Sequence, residues 1–241
     1  MIRINYSLIL LSVILVFSAC SKNHIHYQKS ELNWKEAQPI PSSELLYSLY
    51  LIGDAGDDTL NSRYVINGAE RQIAQGDEEE SGVVFLGDNI YPKGLRKKNS
   101  KYRKEDETRL NLQLDAVKDF NGDVVFIPGN HDWDRQGEEG LKNIKRQEEY
   151  VQDYLDRGNV FLPSHGCPGP EVVKLTPGLV MIIIDTQWWV HQFERASGEK
   201  DGCDVRDEDE LMVMFKDLLK KYRNQNVLVV GHHPLYSNGE H

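Results

Sequence analysis

Apolar positions along this chain fall into two rhythms. Short uninterrupted runs predict buried strands over residues 47–53, 83–86, 124–128, 172–175, 179–185 and 226–230. Between them, apolar residues recur at near-helical spacing. Val65, Ile66, Ala69 and Ile73 predict a helix over 62–75, and Leu110, Leu114 and Val117 another over 105–120. Leu211, Met214, Phe215, Leu218 and Leu219 predict the buried side of a helix over 207–222, and 138–156 reads as a charged helix. Residues 76–81 form an acidic turn and 91–104 a long basic loop, both read as solvated. Strands alternating with helical crossovers predict an α/β fold, its largely parallel sheet covered by helices on both faces. Ligands of such sheets bind beyond the carboxyl ends of the strands.

Four of the predicted strands end in glycine followed at once by a side chain able to hold a metal. They read Ile52-Gly53-Asp54, Leu86-Gly87-Asp88, Pro128-Gly129-Asn130 and Val230-Gly231-His232. One Gly-Asp pair is an ordinary turn. Two carboxylates, an amide and an imidazole together are a donor set suited to divalent or trivalent first-row metals. Glycine at these places lets the chain turn sharply or approach a metal closely.

The chain has 241 residues, 39% of them hydrophobic, enough for one domain with a sizeable core. Its formal net charge of -10 repels a nucleic-acid backbone, so no nucleic-acid partner is expected. An anionic substrate stays compatible, because bound cations dominate the field inside a metal site. Arg3 precedes an apolar stretch over 8–17 that is short for a membrane span but fits an export signal, and Ser18-Ala19-Cys20 follows. That triplet resembles a bacterial lipobox. The resemblance implies a lipoprotein signal peptide over 1–19, a lipidated Cys20 on a polar tether over 20–45, and an exported, membrane-anchored protein. Cys167 and Cys203 then remain as either a disulfide pair or two free thiols.

The motifs Gly53-Asp54-Ala55-Gly56, Gly87-Asp88-Asn89-Ile90-Tyr91, Gly129-Asn130-His131-Asp132 and Val229-Val230-Gly231-His232 resemble those of calcineurin-like metallophosphoesterases. The likeness is greatest to the purple acid phosphatase branch. Most of that superfamily carries a metal-binding histidine where Gly56 stands, and the purple branch instead uses a tyrosine at the position of Tyr91. The resemblance implies a layered sandwich of mixed β-sheets flanked by helices over 46–241. It gives one metal to Asp54, Asp88 and Tyr91 and the other to Asp88, Asn130 and His232, Asp88 bridging. Tyr91 implies Fe(III) in one position, paired with Fe(II), Zn or Mn. Two cations about 3.5–4 Å apart would clamp an in-line phosphoryl displacement and bring a bound water towards a pKa of about 7.

By the same resemblance His131 contacts the phosphate and protonates the leaving oxygen, with Asp132 holding its ring, and His241 is a second substrate-facing histidine. His233, one residue past His232, reads as support behind the metal ligands or as packing, since neighbours leaving a strand tend to point opposite ways. Asp185 reads as a capping residue at a strand end, and Trp188, Trp189 and His191 as packing. The family's closing Gly-His-x-His would follow His241, so the chain is expected to be a piece of a longer protein. The expected activity is hydrolysis of phosphorylated small molecules, phosphate monoesters first. A phosphodiesterase or nucleotide hydrolase with the same metals, and a non-catalytic envelope lipoprotein, are the alternatives.

Overall fold

The computed structural model describes residues 45–57, 60–76 and 78–235, and its elements lie in a compact unit running from Ser43 to Pro234. Cys20, the tether and His241 lie outside the described residues. Six strands, β1 (Ser48–Ile52), β2 (Ser81–Phe85), β3 (Asp123–Phe126), β4 (Glu171–Thr176), β5 (Leu179–Ile183) and β6 (Asn226–Val230), alternate with helices. The helices are α1 (Leu60–Ile73), α2 (Arg103–Asp115), α3 (Gly140–Leu155), α4 (Thr186–Val190) and α5 (Glu208–Lys221). Among the described residues no helix is long and apolar enough to cross a membrane.

The expected single sheet is two. Strands β1-β2-β3 form a parallel three-stranded sheet, and β4-β5-β6 a second sheet. In the second, β5 runs antiparallel to β4 and parallel to β6. The reversal comes from the tight Thr176-Pro177-Gly178-Leu179 link, where Gly178 sits at φ +88°, a conformation that favours glycine. The result is the mixed-sheet sandwich flanked by helices that the motifs implied.

Side-chain alternation sorts the core into two layers. Val83, Phe85, Val124 and Phe126 face the helices and pack with Ile66, Leu110, Leu114 and Ile144. Phe85 and Phe126 are register partners, and their rings stack with centroids 4.2 Å apart. Val84, Val125 and Ile127 point the other way, onto Met181, Ile183 and Val230 of the second sheet. Strand β2 is therefore buried along its whole length.

Helix α5 begins on Asp207, whose side chain accepts from Glu210 N, and carries three acids in its first turn and Lys220 and Lys221 in its last. Both ends complement the helix dipole. Its predicted apolar stripe is only partly covered. Leu211 is buried, Met214, Phe215 and Leu218 are half-buried, and Leu219 is exposed, as is Val229 on the outer strand β6. The basic loop is also not merely solvated. Arg96 grips the buried carboxylate of Asp106 through its backbone N and guanidinium, and Arg103 donates to Arg96 O at 2.6 Å and to Glu107 at 2.7 Å. Predicted as 105–120, α2 ends at Asp115, and a turn brings Val117 and Phe120 back onto the core.

Candidate metal centre

The strand ends of both sheets deliver their polar residues to one place. Ligand atoms of Asp54 after β1, Asp88 after β2 and His232 after β6 all lie within 4.8 Å of one another. Asp54 and Asp88 occupy left-handed backbone, φ +55° and +54°, which short polar side chains tolerate best after glycine. Close approach explains two of the glycines. A Cβ on Gly87 would fall 2.7 Å from His232 Nδ1, and one on Gly129 would fall 2.4 Å from Asp88 Oδ1.

Asp88 is the hub and is almost fully buried. Its Oδ1 accepts from His131 N at 2.8 Å and lies 3.5 Å from His232 Nε2. Its Oδ2 accepts from Tyr91 Oη at 2.9 Å. The same hydroxyl lies 3.0 Å from Asp54 Oδ1, so one phenol proton faces two carboxylates. Burial, then the charges of Asp88 and Asp54, push the Tyr91 phenol far above its ordinary pKa.

The histidine rings are oriented by backbone carbonyls. His232 Nδ1 lies 2.8 Å from Leu86 O, and a carbonyl can only accept, so Nδ1 carries the proton. Its Nε2 is then 3.1 Å from Asn130 Oδ1, lone pair towards lone pair. An amide group and an imidazole lone pair turned to one spot, beside the Asp88 carboxylate, are donors that a first-row cation takes. The donor set thus fits a cation on its own chemistry, with Asp54, Asp88, Asn130, His232 and Tyr91 around it.

His131 is oriented in the same way, and the expected role of Asp132 is corrected. His131 Nδ1 lies 2.9 Å from Pro92 O, its ring packs on Tyr91 at 4.0 Å, and its Nε2 stands 3.9 Å from Asp88 Oδ2. Asp132 is fully buried beneath the loops. Its Oδ2 accepts from Gly129 N (2.8 Å), Asn89 N (3.1 Å) and Asn89 Nδ2 (3.3 Å), and its Oδ1 from Ile90 N (3.1 Å). Gln113 Nε2 adds a bond to Asn89 O at 2.8 Å. Asp132 therefore staples the loop after β2 to the loop after β3 instead of holding the histidine ring. Adjacency in sequence suggested the ring; the turn aims the carboxylate the other way.

Position 56 has no room for a side chain. Gly56 N donates to Asp88 O, Tyr91 N donates to Gly56 O, and a Cβ on Gly56 would lie 2.2 Å from the Asn89 carbonyl carbon. Sequence reasoning missed Trp133, whose Nε1 donates to Asp185 at 2.8 Å. Asp185 also caps α4, accepting from Gln187 N and Trp188 N. Trp188 packs in the core with its Nε1 bonded to Ala196 O at 2.8 Å. Cys167 and Cys203 are joined by a disulfide at the edge of that core.

Burial pushes Asp185 from 3.8 up to about 7, against the N–H donors of Trp188, Trp133 and Gln187, which pull it back. Between those two values the native state holds the proton that the unfolded chain releases. Unfolding free energy therefore falls as pH rises through that window. Asp185→Asn cannot ionise, so its melting temperature should fall less than the native protein's between about pH 4 and pH 7. Equal slopes in thermal melts across that range would refute the assignment.

A sandwich of mixed sheets with carboxylate, amide and imidazole donors at its strand ends defines the class: an α/β sandwich with a candidate metal site at its strand ends. The calcineurin-like phosphoesterase family matches residues 48–241, and the chain belongs to it. That family works through a dinuclear metal centre. No curated protein matches significantly. Among solved structures, the protein of unknown function AQ665 from Aquifex aeolicus is similar at 14% identity and a TM-score of 0.35, over 80% of this chain and 82% of that one.

Proposed function

We propose that this chain is a purple acid phosphatase-like hydrolase of phosphate monoesters, with iron on the Tyr91 side of a two-cation centre. The observation that carries this reading is the Tyr91 hydroxyl placed between Asp54 and Asp88 at 3.0 and 2.9 Å. The filled space at Gly56 supports it, since no histidine fits where most of the superfamily has one. A pair of cations there would polarise a phosphoryl group and acidify a water. The protein's own residues do the rest. Asp54, Asp88, Asn130, His232 and Tyr91 hold the cations. His131, with Nδ1–H spent on Pro92 O, keeps Nε2 for a proton to give to the leaving oxygen, help typically worth about 10²–10⁴-fold. The Asp132 staple fixes the spacing of the two loops.

Full-length protein loaded with iron should show a visible tyrosinate-to-iron absorption band, lost in Tyr91→Phe, and should prefer an aryl phosphate to its bis-aryl diester in kcat/KM. An unchanged spectrum in Tyr91→Phe would sink the iron assignment, and a preference for the diester would sink the monoester one. Export with a lipid anchor belongs to the same reading. It is supported by the apolar stretch before Cys20 and by a disulfide of the kind that persists in oxidising compartments. Mass spectrometry of protein from its own host should find an acylated Cys20 as first residue; a chain still starting at Met1 would remove this part.

A further inference from the structure

The peptide bond between Asn89 and Ile90 lies on the short path from Asp88 to Tyr91, and both of its polar atoms are held. Ile90 N donates to Asp132 Oδ1 at 3.1 Å. Gly56 packs against the same peptide, since a Cβ there would fall 2.4 Å from both Asn89 O and Ile90 N. Gly56 N donates to Asp88 O at 3.0 Å, and Tyr91 N to Gly56 O at 3.1 Å, which pins the residues before and after. The remaining group is Asn89 O. Its partner comes from a helix: Gln113 Nε2 of α2, at 2.8 Å.

Gln113 is fully buried. Its Nε2 faces two carbonyls, Asn89 O and, at 3.2 Å, Arg109 O of its own helix. Carbonyls only accept, so the amide turns its nitrogen and not its oxygen to the loop. The bond to Arg109 O ties the side chain to α2, and Leu110 and Leu114 anchor α2 in the core. Gln113 Oε1 has no partner among the described residues. A buried acceptor left unpaired costs stability, and a leucine of similar size would carry no such cost. What the glutamine supplies is an N–H aimed at the loop between two metal ligands.

We propose that Gln113 is a positioning residue for the metal centre: by holding the Asn89 carbonyl it sets the separation of Asp88 and Tyr91, the two ligands that share this loop. The proposal rests on the metal-centre reading above and deepens it, because the effect is one-sided. Asp88 and Tyr91 belong with Asp54 to one cation position. Asn130 and His232 of the other are fixed elsewhere, by Asp132 on Gly129 N at 2.8 Å and by Leu86 O on His232 Nδ1 at 2.8 Å. Loss of the Gln113 bond should weaken the Tyr91 position about tenfold, the scale of a buried hydrogen bond, and leave the other within about threefold.

Gln113→Leu keeps the volume and removes the bare Oε1 along with the donor, so it should fold. Gln113→Met, unbranched like glutamine, guards against a packing fault, and the two should agree. Leu114→Ala, fully buried one residue along α2, is the control for lost stability with this bond intact. Amide exchange followed by NMR in metal-free, full-length protein gives a readout independent of turnover. Protection of the Ile90 and Tyr91 N–H groups should fall about tenfold in both Gln113 variants, with Gly129 N–H as in the native protein. Manganese titration by calorimetry should show one binding step weakened, the same step that Tyr91→Phe weakens. Unchanged protection at Ile90 and Tyr91, or a loss spread evenly over the loops as in Leu114→Ala, would overturn the proposal. So would two manganese steps weakened alike. The local exchange pattern in a protein that binds no manganese would support the hold on the loop and count against the metal reading alone.

Discussion

Asp88→Asn is expected to cut phosphoester turnover by roughly 10³-fold or more, from the loss of several kcal/mol of charge stabilisation. Both Asp88 oxygens are committed, Oδ1 to His131 N and the neighbourhood of His232, Oδ2 to Tyr91 Oη. Asparagine keeps the shape, but it carries no charge and turns one oxygen into a donor. The cations would lose the one ligand placed to touch both. Metal-free stability should move the other way. Asp54 and Asp88 are like charges sharing one phenol proton, so removing one charge relieves repulsion in the metal-free protein. A higher melting temperature in chelator together with lost activity is the expected signature, the trade-off seen where a site is held against its own stability. Near-native turnover in Asp88→Asn would contradict the bridging role.

Asp132→Ala is expected to lower unfolding free energy by about 3–5 kcal/mol, out of a total of about 5–15 for a domain. The substitution leaves the N–H groups of Gly129, Asn89 and Ile90 without their acceptor in a fully buried place. An orphaned buried donor costs about 1–3 kcal/mol. Asp132→Asn should cost less, because its carbonyl oxygen can still serve Gly129 N and Asn89 N while its amide faces Ile90 N. Chemical denaturation of the three proteins in chelator ranks them. A loss under about 1 kcal/mol for alanine would mean the staple does not hold the loops, since buried donors cannot be orphaned that cheaply.

Much of this site was legible because its residues sit where strands stop. A run of apolar residues ending in Gly-Asp, Gly-Asn or Gly-His states both the element and the place to which it delivers a side chain. The strand Asn226–Val230 was read to the residue. What stayed hidden depends on backbone groups, which carry no letter in a sequence. The carbonyls of Leu86 and Pro92 orient His232 and His131, and neither could be assigned from residue types. Asp132 was misread because side-chain direction in a turn follows φ and ψ and not adjacency. The apolar runs alone suggested one largely parallel sheet, because β3 and β4 look alike as runs, whereas the motifs already implied the sandwich of two mixed sheets that forms.

The central claim is that Asp54, Asp88 and His232 converge to hold cations, with Asp88 between them. Anomalous diffraction from crystals of the full-length protein grown with iron or manganese tests it most directly. Two peaks sharing Asp88 as a ligand, one beside Asp54 and Tyr91 and the other beside Asn130 and His232, are predicted. Density for no metal, or for metal that leaves Asp88 untouched, would contradict it.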